Sequence, residues 1–231
     1  MRSYSRPNDF SSFDMHDPIF DAHGIALSVE VATTQEIYNL DPAQTSARSE
    51  GQAFVVRSAG LTCARQHENA SGAVLLRVRP EGPGRIRVRL RAKAPDTIRW
   101  TKLSLRGLPA PLAWIEESGL RPIGPLGEIL VYPNGLEAPL ICLRTGEDTL
   151  GVRVEDPRGR AMRFAAALEH VGPRAGQGVL EVICEEDVTH PSREFEAPPC
   201  VIARGVGRET LLHEYLAFVR DLPTRMRPGE R

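Results

Sequence analysis

A chain of 231 residues, 41% hydrophobic and 26% charged, carries enough apolar material for a sizeable core without a disulfide or metal staple. Its 29 basic and 30 acidic residues nearly cancel, leaving a net charge of −1, so no global field favours nucleic acid or an anionic membrane as a partner. No stretch approaches the roughly 20 apolar residues of a membrane span, and residues 1–18 hold no apolar signal region, so the expected location is cytoplasmic.

Residues 1–23 are polar and irregular and read as an N-terminal strap. From Gly24 the pattern changes. Residues 25–31, 53–56 and 74–78 read as strands, the last running into the turn-forming Pro80-Glu81-Gly82-Pro83-Gly84. The clearest strand follows: Arg85, Arg87, Arg89, Arg91 and Lys93 alternate with Ile86, Val88, Leu90 and Ala92. A period of two puts every cation on one face and every apolar side chain on the other. Residues 98–105 alternate less cleanly and are a candidate pairing partner for it.

A Gly/Pro-rich connector spans residues 106–127 around the apolar Leu112-Ala113-Trp114-Ile115, and reads as a long inter-strand loop. Strands at 128–132, 139–143 and 149–155 come next. Asp156-Pro157-Arg158-Gly159 then has the residue order of a type I turn. Strands at 162–169, 178–184 and 200–203 complete the set, with helix a competitor over the Ala-rich 162–168. Many short strands separated by turn signals, without alternating long helices, predict an all-β fold. The expected form is an antiparallel β-sandwich or supersandwich over residues 24–206. One amphipathic helix is expected at 207–222. Leu211, Leu212, Tyr215, Leu216, Phe218, Val219 and Leu222 fall at helical spacing, Gly207 can start it and Pro223 stops it. Residues 223–231 read as a frayed tail.

Cys63, Cys142, Cys184 and Cys200 are widely spaced, three of them in apolar runs, which favours buried free thiols over disulfides or a zinc site. The six histidines show no zinc-ligand spacing, and His190 near Asp187 and Glu185 is the only loose cluster. No metal and no cofactor are expected. Glu116-Glu117, Glu147-Asp148 and Glu185-Glu186-Asp187 are adjacent pairs and runs, and neighbours on a strand point to opposite faces. They do not supply two carboxylates facing each other across a cleft, as glycoside hydrolysis requires. Nucleophile-elbow and phosphate-loop motifs have no match.

The 85–93 ladder suits either a polyanion, such as phosphates or uronates, or a solvated sheet face with acidic cross-strand partners. The near-zero net charge favours the second. Trp100 and Trp114 either fill the core or stack on a sugar ring. Trp114 lies beside Glu116 and Glu117, so Trp114, Glu116 and Trp100 are the candidate carbohydrate-binding residues. The apolar stripe of the helix must be covered by the sandwich or by a partner. Leu211, Tyr215 and Phe218 are the candidate interface residues in the second case.

Two segments resemble a known family. Leu130-Val131-Tyr132-Pro133, Pro139-Leu140 and Leu150-Gly151-Val152-Arg153-Val154-Glu155-Asp156-Pro157 resemble a run across three successive strands of the β-supersandwich (galactose mutarotase-like) domains of large bacterial glycoside hydrolases. Val206-Gly207-Arg208-Glu209-Thr210 and His213-Glu214-Tyr215-Leu216-Ala217-Phe218 resemble the segment leading from that sandwich into a catalytic (β/α)8 barrel. Glu209 and Thr210 stand where the family has Trp. The resemblance spans residues 24–222. It implies that the catalytic carboxylates belong to a barrel, so no catalytic residue carries over to this chain. The implied function is a non-catalytic, carbohydrate-associated sandwich, an accessory domain or subunit. Its partner would be a separate (β/α)8-barrel chain or a second copy of itself. Two alternatives stay open. One is a mutarotase- or epimerase-like enzyme using His67 or His170 with Glu169 or Glu181 for proton transfer. The other is a purely structural assembly module.

Overall fold

The computed structural model describes residues 20–22, 25–65, 68–170, 174–186 and 191–223. In chain order the strands are β1 (Phe20–Ala22), β2 (Ile25–Thr33), β3 (Ile37–Leu40), β4 (Thr45–Glu50), β5 (Ala53–Cys63), β6 (Asn69–Pro80), β7 (Arg85–Lys93), β8 (Ile98–Leu108) and β9 (Leu112–Glu116). They continue as β10 (Gly119–Pro122), β11 (Glu128–Tyr132), β12 (Leu140–Thr145), β13 (Asp148–Val154), β14 (Met162–Leu168), β15 (Gly178–Glu185), β16 (Glu194–Glu196) and β17 (Cys200–Arg204). Helix α1 (Arg208–Asp221) follows.

These strands form an antiparallel β-sandwich. One layer runs β11-β14-β15-β8-β2, with β1 against β2. The other runs β4-β5-β6-β7-β17-β13-β12-β9-β10, with β16 sharing the β17 edge of β7. Strand β3 pairs with both β2 and β5 and joins the layers. A single core lies between them, built from Leu27, Leu105, Phe164 and Leu180 on one side and Leu76, Val88, Val152 and Leu143 on the other.

The ladder of β7 is as its period demands: Ile86, Val88, Leu90 and Ala92 are buried and the cations face outward. Residues 162–168 are a strand despite their alanines. Met162, Phe164 and Ala166 alternate into the core. Alanine favours helix by a few tenths of a kcal/mol per residue, whereas burying Met or Phe contributes about 1.5–3 kcal/mol each, so packing wins. Two expectations are corrected. Strand β8 does not pair with β7; it lies in the opposite layer between β2 and β15. The 106–127 connector is largely the β9–β10 hairpin, with Trp114 opposite Arg121 and β9 also paired to β12.

Helix α1 packs on the outer face of β12 and β13. Leu211 is fully buried above Gly151, where an added Cβ would sit 2.3 Å from its Cδ1. Glycine there lets the helix backbone approach the sheet. Tyr215 packs on Ala138 and Leu140, with Leu212, Phe218 and Val219 at the margin. Acidic Glu209 in the first turn and basic Arg220 in the last both suit the helix dipole. A chain of alternating charges ties the helix to the sheet. Glu214 accepts from Arg85 at 2.6 Å and Arg153 at 2.7 Å. Arg153 also donates to Glu155 at 2.9 Å, and Arg87 pairs with both Glu155 and Glu81.

All four cysteines are free and buried. Burial pushes the Cys184 thiol up to about 12 and Cys142 up to about 11. Burial also disfavours charge on Lys102, but the hydrogen bonds it donates to Glu181 and Glu30 outweigh it and raise that group too. In each case the folded value lies above the unfolded one. This stabilisation is therefore complete below the ordinary thiol range of about 8.5 and is lost as pH climbs toward the folded values. Urea midpoints should fall across that alkaline window, and Cys184→Ala should flatten the fall. A midpoint independent of pH there would contradict the burial of these thiols.

Candidate functional site

Of the predicted carbohydrate residues, Trp114 and Glu116 come together on β9, and Trp100 lies apart on the opposite layer. Trp100 is half-buried on the outer face of β8, next to Ala32 of β2 and Glu185 of β15. Trp114 is 1% exposed on the other layer, so its ring is core and leaves no face for a sugar to stack on. Its indole Nε1 donates to Glu128 at 2.7 Å. Arg121 bridges Glu128 to Glu116, with an Nε to Oε1 distance of 2.6 Å on the Glu116 side. This β9–β10–β11 cluster is braced by charge as well as by packing.

Glu116 does line a concavity. The end of the β9–β10 hairpin, the 135–142 segment and the start of α1 enclose a groove of about 450 Å3. Its apolar surface comes from Ile115, Leu136 and Leu212, and its charged rim from Glu116, Glu117, Glu137 and Arg208. Arg208 bonds Glu117 at 2.7 Å and clasps the hairpin to the helix. Cys142 also reaches the groove, but burial holds its thiol protonated and its Sγ donates to the Val206 carbonyl at 3.4 Å. It lacks the thiolate character of a nucleophile. Apolar walls with a few convergent polar groups, in a volume of this size, are the usual make-up of a small-ligand site. Glu137, Arg208 and Leu212 escape sequence reasoning because they come from segments distant in the chain, and no local pattern joins them to Glu116.

The candidate interface residues are placed differently from one another. Leu211 and Tyr215 are buried against the chain's own sheet, so the sandwich covers the apolar stripe and they offer a partner no surface. Phe218 is half-buried, its ring centroid 6.1 Å from that of Tyr215. Leu216, 53% exposed, faces solvent instead.

For the mutarotase-like alternative, the acids are engaged elsewhere. Glu169 pairs with Arg106 at 3.3 Å and Glu181 with Lys102 at 2.9 Å. His170 shares a 3.0 Å hydrogen bond with the Pro125 carbonyl. His67, His190 and Asp187 lie outside the described residues. Among the described residues no group of His, Cys, Asp and Glu could hold a metal ion, and no helix is long and apolar enough to cross a membrane. Compared with protein-family models and with curated proteins, the chain finds no match in either, and its functional reading rests on the residues themselves.

Proposed function

We propose that this chain is a non-catalytic, carbohydrate-associated β-sandwich, an accessory domain or subunit of a glycoside-hydrolase-like assembly. The observation that carries this reading is the groove at the β9–β10 hairpin. Its carboxylates and guanidinium suit the hydroxyl rim of a sugar, and its apolar walls suit the C–H faces. Helix α1 forms one wall, and in the family the chain resembles a barrel follows this helix. A barrel chain seated on Leu216 would stand beside the bound glycan.

Calorimetric titration with neutral α- and β-linked oligosaccharides tests the reading. At least one is expected to bind, with little dependence on salt. Glu116→Gln and Glu137→Gln are each expected to weaken it about tenfold, the loss of one charge-assisted hydrogen bond of about 1.5 kcal/mol. Absence of binding by every sugar, or full affinity in both variants, would overturn it.

A further inference from the structure

The outer face of β5, β6 and β7 carries a second concavity, built from residues that the groove does not use. Four of the five ladder cations find carboxylates: Arg85 pairs with Glu214, Arg87 with Glu81 and Glu155, Arg91 with Glu196 and Lys93 with Glu194. Arg89 does not. Directly across from it in register stands Arg77 of β6, and two residues along the strands Arg79 faces Arg87. Like charges directly opposed on a sheet are destabilising, by an amount on the order of 0.2–1 kcal/mol per pair. Among the described residues, Arg77, Arg79 and Arg89 make no ion pair that would relieve it. All three are exposed.

Arg77, Arg79, Arg87 and Arg89 line a recess of about 420 Å3, with Glu50, Gln52 and Ala53 at its rim. Glu50 is already taken by Arg48 at 2.6 Å and Arg57 at 3.1 Å. Four arginines against one glutamate leave the recess with three positive charges in excess. Opposed residues on paired strands lie about 5 Å apart and next-but-one residues about 7 Å, so the guanidinium stems form a rectangle of those dimensions. Each guanidinium offers a planar fork that matches an oxyanion bidentately.

The lining also selects among polyanions. Single-stranded nucleic acid sites pair a cationic groove with aromatic platforms for the bases, and this recess is lined by no aromatic residue. A neighbouring depression of about 570 Å3, on β5, β6, β7 and β16, is lined by Arg57, Arg91 and Lys93 together with Glu194, Glu196 and Phe195, whose ring is 3% exposed and so offers a base no stacking face. The pairs of Arg91 and Lys93 are more than half exposed on both sides. Such pairs are worth little and exchange readily for other anions. The cationic strip is therefore longer than a single ion needs and repeats along the strands, which suits a linear chain of oxyanions.

We infer that Arg77, Arg79 and Arg89, with Arg87 as their anchored neighbour, bind an acidic polysaccharide through its sulfate or carboxylate groups. The glycan class rests on the proposed function; the cationic geometry does not. Binding of heparin, polygalacturonate, dextran, inorganic sulfate and an oligo(dT) strand to the full chain separates the sources. Heparin or polygalacturonate is expected to bind, more weakly as salt rises. The Arg77→Gln/Arg79→Gln/Arg89→Gln variant should lose at least tenfold in affinity while keeping its fold and its neutral-sugar binding. Arg99→Gln, an exposed arginine on the other layer, should change nothing. Melting of the triple variant at or above the wild-type temperature would fit the removal of opposed charges and show that lost binding is not unfolding. Unchanged acidic-glycan binding in the triple variant, alongside weakened neutral-sugar binding in Glu137→Gln, would sink the arginine site and leave the groove standing. Tighter binding of oligo(dT) than of either polysaccharide, or of sulfate alone, would also overturn it. Binding of no glycan at all would remove both readings.

Discussion

Trp114→Ala is expected to destabilise the fold by about 3–5 kcal/mol, the range for removing a large aromatic from a packed core. The ring is 1% exposed and packs in the single core between the two layers. Removing it leaves a cavity and takes the indole donor from Glu128. Trp114→Phe should restore most of the packing but not the donor, leaving a residual cost of about 1–3 kcal/mol. Chemical denaturation of the two variants separates the terms. A loss below about 1 kcal/mol for Trp114→Ala is what a surface residue would give. It would return Trp114 to the role of a sugar-stacking platform.

Arg153→Met should cost about 1.5–3 kcal/mol, because it removes a charge-assisted hydrogen bond from each of two carboxylates while Glu155 keeps Arg87 and Glu214 keeps Arg85. The Arg153 side chain is 8% exposed and that of Glu155 is 9%. Across the sheet, Arg153 and Arg87 flank Val201 in register, and both reach Glu155. Arg153 also holds Glu214, so the loss should extend to helix docking and speed hydrogen exchange in α1. In Arg153→Met/Glu155→Met, Arg87 keeps Glu81 and Glu214 keeps Arg85. The double variant should recover most of the stability, since a buried pair replaced whole by apolar groups is close to neutral. A double variant as unstable as the single one would mean that the network contributes more than mutual neutralisation.

What could be read from the sequence is what depends on neighbours in the chain. Period two located β7 and its buried face. The Asp156 turn was visible as a residue order. In the structure Asp156 accepts from the Arg158 amide at 3.1 Å, and Gly159 takes the left-handed φ of 65°. The helix ends within one residue of its expected stop, because Pro223 and the apolar spacing are local signals. Alternation says which side of a strand is buried but not which strand lies beside it. Residues 98–105 therefore read as a partner for β7, whereas Leu103 stands between Val29 and Val182. The β9–β10 hairpin turns at Glu117-Ser118, which lacks the Asn-Gly or Asp-Gly signature, and only Gly119 at φ 123° marks it. The groove is half visible in the sequence: Glu116 stands out, but Trp114, two residues earlier on the same face of β9, lies deeper and is sealed into the core. Arg77 and Arg79 carry no local signal, because nothing in their own segment shows that β6 sets them opposite Arg89 and Arg87.

A non-catalytic glycan groove is tested most directly by a crystal structure of the chain soaked with a neutral oligosaccharide that calorimetry shows to bind. The sugar is expected between Glu116, Glu137 and Leu212, with every glycosidic bond and ring stereocentre intact. A sugar seated away from the groove, or one cleaved or epimerised within it, would contradict a binding sandwich that performs no chemistry.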